Sequence, residues 1–475
     1  MSIPKFRQVT GGSSRVVLYR ETSPGVPDPT DPGIVLAMFE ESITVSSNKA
    51  ASAVITGKRG AGKPVAGLPD YSGGIALAAY SAQAGHLLRA LCGAPVTTAE
   101  VAFAGVNGAA VNLGNGLVGL PCKGNPFVQD CAVTVVGSKN YDGTYRLKAG
   151  TNADQMVIPA VFVAETFSAV TVHRGKASYL EGEARDLGGG LVALPVGGAG
   201  SALSAGDVVT IAGTTGYDGT HTLEEGTNSN RIVFKDSYAA ETLDGKATAM
   251  ASFHRHEFAL PKSQPTVTVV KELNFEEGAA SDPYHVFNSC KVDGLSMSFG
   301  GESELRLDIT LSVGAAENRP VGVNADLEPV DLPQAAWADK ETAVWLDGDR
   351  LGDVSTGSVE QSFSIEAVAA MGDMGKRYRQ TEGDPSVSIA FTAFLEEDRY
   401  QNMVDNANTV EMAVSMDNAV GDELWLRQPE GELDSSGPQI NTKAGLTQEF
   451  TCMGFVDNGD TVARYTLINR VASYA

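Results

Sequence analysis

A tandem repeat constrains this chain more than any other feature: Tyr141-Asp142-Gly143-Thr144 recurs 76 positions later as Tyr217-Asp218-Gly219-Thr220. At the same offset Val133-Thr134-Val135 aligns with Val209-Thr210-Ile211, and Ala164-Glu165-Thr166 with Ala240-Glu241-Thr242. The run Leu113 to Pro121 matches Leu187 to Pro195 at an offset of 74. Self-similarity at a fixed period means one folding unit used twice, so the sequence predicts tandem modules at residues 96–175 and 176–252. Short alternating apolar runs make both modules β. Asp-Gly between them predicts a tight hairpin turn, because glycine accepts the positive φ such a turn demands. The repeated tyrosine is expected to pack beneath that hairpin. A glycan-binding role for Tyr141 and Tyr217 is the other reading, although neither module carries a tryptophan to stack on a sugar.

A fainter duplication runs through the rest. Gly57-x-x-Gly60 returns as Gly372-x-x-Gly375, each in a basic loop: Lys58, Arg59 and Lys63 in one, Lys376, Arg377 and Arg379 in the other. An alternating strand follows each loop (Ile75, Leu77, Ala79; then Val387, Ile389, Phe391, Ala393). A short helical stretch follows each strand, Ser81 to Cys92 and Glu396 to Val404, ending in apolar residues at helical spacing. The expected organisation is a first domain split between 1–95 and 253–330, with the two modules inserted in it, and a second domain at 331–475. The proline-rich residues 22–34 read as an extended arm.

Charge is uneven. Residues 253–475 hold 37 acids and 16 bases, so nearly all of the net charge of −23 lies there. A polyanion-binding surface needs lysine and arginine to displace counterions, so nucleic-acid binding is excluded in its usual form. A solvated acidic surface, or one that a polyanion slides past, fits better. No apolar run reaches membrane-spanning length, and the N-terminus lacks the apolar centre of a secretory signal. Five cysteines without C-x-x-C spacing read as reduced thiols, with Cys122 and Cys131 the one candidate pair.

Several stretches imitate catalytic motifs and fail on chemistry. Gly57 to Lys63 has the spacing of a phosphate loop, but Pro64 stands where a hydroxyl should bind magnesium. Asp347, Asp349 and Asp353 suggest a calcium loop, but Leu351 and Ser358 occupy ligand positions, so a hairpin tip is the better reading. His254 and His256, with His285 and Cys290, lack metal-ligand spacing and read as strand residues. No catalytic, cofactor or metal residue is nominated. The chain is not expected to be an enzyme.

Outside the modules, several stretches together resemble the tail tube proteins of long-tailed bacteriophages. These are Gly67-Leu68-Pro69-Asp70, the helix ending Leu87-Leu88-Arg89-Ala90-Leu91-Cys92-Gly93, His256-Glu257-Phe258, Gln264 to Val269 and Tyr284 to Leu295. Gly372 to Tyr378 with Val387 to Phe394 looks like a second half of the same pattern. The resemblance implies a mainly β fold of two duplicated β-sandwich or barrel domains, each with a short flanking helix. The modules depart from the plain pattern and look like outward-displayed insertions. It further implies self-assembly into stacked rings, trimeric with pseudo-sixfold symmetry or hexameric, in a virion tail assembled in the host cytoplasm. The expected partners are sister copies, a tape measure protein and a tail-terminating protein, with DNA passing through unbound and no membrane involved. Glu304, Arg306, Asp308 and Thr310 alternate on one strand face and are the lumen candidates. The basic loops, Lys58, Arg59, Lys63, Lys376, Arg377 and Arg379, are the inter-ring candidates. Two rivals from other classes are a virion or cell-surface glycan-binding protein and an envelope hydrolase.

Overall fold

The computed structural model describes residues 14–52, 62–197, 200–201, 203–273, 284–301, 304–319, 322–324, 326–332, 336–368, 376–377, 379–394, 399–418, 420–435, 437, 447–457 and 461–474. These are mainly β, with α-helices at Ser81–Cys92 (α1) and Arg399–Asp405 (α2). The chain divides into two compact units. Unit 1 gathers Met1–Ala94, Phe258–Val414 and Leu426–Tyr465, and unit 2 gathers Pro95–Glu257, Ser415–Trp425 and Thr466–Ala475.

Unit 1 uses strands β1 (Arg15–Ser23), β2 (Met38–Glu41), β3 (Thr44–Ser52), β4 (Gly62–Ser72), β5 (Gly74–Ala78), β6 (Val267–Glu272), β7 (Tyr284–Phe299), β8 (Arg306–Ser312) and β9 (Ala315–Arg319). These are followed by β10 (Val354–Ser362), β11 (Glu366–Val368), β12 (Arg379–Thr381), β13 (Ser386–Phe394), β14 (Thr409–Asp417, in unit 1 as far as Val414), β15 (Glu423–Asp434, in unit 1 from Leu426) and β16 (Thr447–Gly454). Eight of them pair antiparallel in the order β2, β5, β8, β7, β10, β13, β16, β15. Period-two alternation builds this sheet. Leu77, Leu307, Met297, Val359, Ile389, Cys452 and Leu433 lie side by side across seven strands, and all are buried. Burying each large side chain of that row stabilises the fold by about 1.5–3 kcal/mol, and a slip of one residue in any strand would turn its set outward.

The same succession of elements occurs twice in unit 1. Strand β2, hairpin β3–β4, strand β5 and α1 come first; strand β10, hairpin β11–β12, strand β13 and α2 come second. A β-bulge marks the same place each time. Met38 and Glu40 oppose Leu77 and Ala76 in the first set, and Val354 and Thr356 oppose Ala393 and Thr392 in the second. Extra residues at bulges bend a strand locally, so both copies turn at one equivalent point.

Helix α1 occupies the residues its apolar spacing predicts. Its buried Gln83 fixes it to the sheet, accepting from the Ala37 amide (2.7 Å) and donating to the carbonyls of Ala37 and Ala78. The helix closes on Gly93, whose amide donates to the Arg89 carbonyl and whose φ of 84° favours glycine. Residues 22–34 are not a free arm. Val26–Pro27 and Ile34–Val35 both pair with β1, and the Asp31 carboxylate accepts from the Arg20 amide (2.6 Å). Side-chain acceptors that satisfy backbone donors hold a proline-rich segment as firmly as a ladder does.

In unit 2 each tandem segment forms one four-stranded and one three-stranded sheet around its own core. Matching core residues recur in sequence order: Val118 with Val192, Leu120 with Leu194, Val133 with Val209, Tyr141 with Tyr217, and Leu147 with Leu223. Asp-Gly does not form a tight turn here. Asp142 and Asp218 end six-residue loops, each carboxylate accepting the amide four residues earlier, Ser138 (2.6 Å) and Thr214 (2.7 Å). Glu165 accepts from the Lys139 and Asn140 amides, and Glu241 does the same for Thr215 and Gly216. That is the physical reason the Ala-Glu-Thr triplet repeats along with Tyr-Asp-Gly-Thr. Cys122 and Cys131 are not bonded to each other, since all five cysteines are free.

Burial, with Arg89 nearby, pushes the His86 imidazole of α1 down to about 4. A folded pKa below the unfolded value of ~6.5 means that the unfolded chain binds the extra proton. The contribution is therefore intact above pH 6.5 and lost as pH falls toward 4, on the order of 3 kcal/mol. Urea unfolding of the full chain at pH 7 and pH 4.5 is expected to show this loss, and His86→Gln is expected to make the loss between the two pH values smaller than in the native chain.

Candidate assembly surface

The face of the eight-stranded sheet opposite its apolar row carries two polar rows. In the first, Asp308, Ser296, Glu360, Ser388, Met453 and Glu432 are successive cross-strand partners. In the second, Arg306, Ser298, Ser358, Ala390, Thr451 and Asp434 follow one another in the same way. Small neutral side chains fill half of the positions, carboxylates stand at Asp308, Glu360, Glu432 and Asp434, and Met453 is an exposed apolar member. A sheet whose second face stays in water needs only polar residues there. Here serine, threonine and alanine also keep that face smooth.

Sequence reasoning placed Arg306, Asp308 and Thr310 on one side of β8, and they do share it: Arg306 and Thr310 are exposed, Asp308 is half-buried, and Leu307, Ile309 and Leu311 are buried behind them. Glu304 is exposed and sits outside the strand, bridged to Ala338. Arg306 is held by acids on both sides, donating from Nε to Asp308 (2.8 Å) and from Nη2 to Glu40 (2.5 Å), with its guanidinium 5.8 Å from the Phe39 ring centre. Those hydrogen bonds raise the Arg306 pKa above its ordinary value. The one cation of the two rows is thus neutralised within the chain, and Glu360, Glu432, Asp434 and Glu449 on the same face keep the surface acidic. These four were missed from the sequence. Their signal was the polar half of the alternation in β10, β15 and β16.

A cleft of about 770 Å³ next to this face is lined by five carboxylates (Glu40, Glu41, Asp70, Asp293, Asp308) against Arg306 and Arg377. Arg377 donates from Nη1 to Asp70 (3.0 Å), and its backbone amide donates to the Gly314 carbonyl (2.6 Å). Lys376 and Arg379 are solvent-exposed beside it. Lys63 lies on β4, while Lys58, Arg59 and the paired glycines 57, 60, 372 and 375 fall outside the described residues.

The other motif candidates resolve as structure. Asp347 and Gly348, with φ of 52° and 84°, form the two-residue turn of a hairpin in which Leu346 pairs with Asp349. His256 is fully buried, with Thr97 Oγ1 at 2.9 Å from Nδ1 and the Val471 carbonyl at 2.9 Å from Nε2. Tyr141 and Tyr217 are 1% exposed, and their hydroxyls bond the backbone of Val163 and Ala239. Among the described residues no cluster of His, Cys, Asp or Glu could hold a metal ion, and no helix is long and apolar enough to cross a membrane.

No curated protein matches the chain. A family model described as phage tail tube protein matches residues 11–454, nearly the whole length.

Proposed function

The chain belongs to the phage tail tube protein family and is a structural tail subunit, and from that premise we propose how it serves as a tube wall. Its acidic, small-residue sheet face lines the bore and conducts DNA during genome ejection. Phosphates are repelled by the carboxylates of Asp308, Glu360, Glu432, Asp434 and Glu449, and they find no unpaired cation at Arg306. The twofold succession of elements in unit 1 supplies two wall segments per chain, so three chains close a ring with pseudo-sixfold symmetry. Closure around an axis removes exposed sheet edges. The tandem modules stand outward, rings stack into the tube, and tape measure and tail-terminating proteins meet the stack, which assembles in the host cytoplasm before becoming part of the virion.

One observation carries this reading: eight strands in one sheet, apolar on one face and acidic on the other, with the same order and the same bulge in both halves. Negative-stain imaging of the purified chain tests it. Hollow rings with threefold or pseudo-sixfold class averages are expected. Compact monomers at every concentration would overturn it. The glycan-binding alternative has no observation in its favour, because both repeated tyrosines are buried with their hydroxyls engaged.

The basic segment before β12 contacts the acidic surface of the neighbouring ring, where opposite charges set register more than affinity. Arg377→Glu also loses the ion pair to Asp70, so Asp70→Asn serves as the control for that loss. Each surface contact is worth about 0.2–1 kcal/mol. Repeated around a ring, their loss is expected to shorten tubes by roughly half in electron micrographs.

A further inference from the structure

Resting on the tube-wall reading, we infer that the junction inside each chain is the template for the junction between chains, and that it fixes the pairing residue by residue. The two halves of unit 1 meet where β7 pairs antiparallel with β10, from Gly294 with Ser362 to Phe299 with Gly357. The bulges superpose Met38 on Val354, an offset of 316, and Leu77 on Ala393, again 316. Following the ladders outward, β8 superposes on β16 with Arg306 on Thr447, and β7 superposes on β15 with Gly294 on Asp434. The strand equivalent to β7 in the second half is therefore β15, and the stretch equivalent to β10 in the first half runs through Glu41 to Ser46. β15 lies at one end of the eight-stranded order, and the other stretch runs from β2 at the opposite end into β3, whose Val45 and Ser46 pair with Tyr71 and Asp70 of β4. Transferring the register makes Asp434 of one chain the partner of Ser46 in the next, and Ser435 the partner of Val45.

The receiving edge has the features of an interrupted sheet. Val45 is an apolar residue 51% exposed. The Ile43 carbonyl accepts from Lys271 Nζ (2.6 Å), the Ile43 amide donates to the Glu41 carboxylate, and Lys271 and Glu41 pair with each other (2.6 Å). Side chains thus occupy the backbone groups that a neighbouring strand would take, which is one way an exposed edge is guarded against uncontrolled pairing. A cleft of about 660 Å³ lined in part by Glu41, Ile43, Val45, Lys271 and Phe287 opens beside that edge. The occupant is a second copy of this chain, through the end of β15.

Cysteine cross-linking of the full chain tests the register. Ser46 and Asp434 are both exposed, and four of the five native cysteines are buried. Oxidised S46C/D434C is expected to give linked dimers and trimers, with the trimer as the largest product, all lost on reduction. At least tenfold less product is expected from T44C/D434C, two residues out of register, and from the single variants. Imaging the reduced double variant confirms that it still assembles, and V45C/S435C provides a second in-register pair should it not. Rings that form while both in-register pairs link no better than the controls would overturn this pairing and leave the tube-wall reading standing. A native chain that never forms rings would overturn both.

Discussion

Arg174→Ala is expected to destabilise unit 2 by about 3–5 kcal/mol, the cost of removing one partner from a buried ion pair. The guanidinium is 4% exposed, pairs with Glu423, lies 3.4 Å from Glu100, reaches Cys131 Sγ (3.2 Å) and sits 5.5 Å from the Phe127 ring centre. Burial alone would lower its pKa, but the surrounding Cys131, Glu423 and Glu100 outweigh that and raise it. The cation is therefore firmly charged. Deleting it leaves the Glu423 carboxylate, itself 6% exposed, without its cation while the Trp425 indole still donates to it. Leaving a buried charge unpaired costs more than the pair contributes, so the triple change Arg174→Met, Glu423→Gln and Glu100→Gln should recover most of the loss. Urea midpoints for the three proteins decide the matter. A loss below about 1 kcal/mol for Arg174→Ala would mean that water reaches the site.

Lysine at three positions of the acidic face, Asp308→Lys, Glu360→Lys and Glu449→Lys, is expected to slow genome ejection about tenfold at low salt. Each change replaces repulsion of phosphate by attraction, and ion pairs with DNA release counterions, so affinity rises steeply as salt falls. The defect should shrink above about 0.1 M salt, where the screening length drops to about 10 Å. Single-particle ejection measured across that salt range is the check, with Asp308→Asn, Glu360→Gln and Glu449→Gln as a neutral control expected to slow ejection less than the lysine variant. Unchanged ejection by the lysine variant would remove this face from the bore.

Short-range features were legible in the sequence and pairing was not. Leu87, Leu88 and Leu91 placed α1 because helical spacing is a local property. The alternation Arg306, Asp308, Thr310 gave one strand face correctly for the same reason. That Asp308 and Glu360 share a row depends on Ser296 lying between them, a register set by bulges and distant partners. The Asp-Gly turns make the same point. Asp347-Gly348 turns tightly because its strands come within two residues of each other. Asp142-Gly143 has the same letters but closes a longer loop, because Glu165, from 23 residues further along the chain, organises its amides. The basic loop at Lys58 and Arg59 lies outside the described residues, so it adds nothing to either side.

Unit 2 is stitched from three stretches of chain that are far apart in sequence. Arg146 of the first module meets Asp417 (2.8 Å), Asp207 of the second meets Arg470 (2.5 Å), and Gly421 approaches Gly175 so closely that a methyl group would sit 2.6 Å from its Cα. Excising residues 96–252 would therefore take Arg146 from Asp417, Arg174 from Glu423 and Asp207 from Arg470. Residues 96–252 are thus bound to the rest of unit 2 by charge as well as by chain continuity, and losing them demands simultaneous changes at Asp417, Glu423 and Arg470.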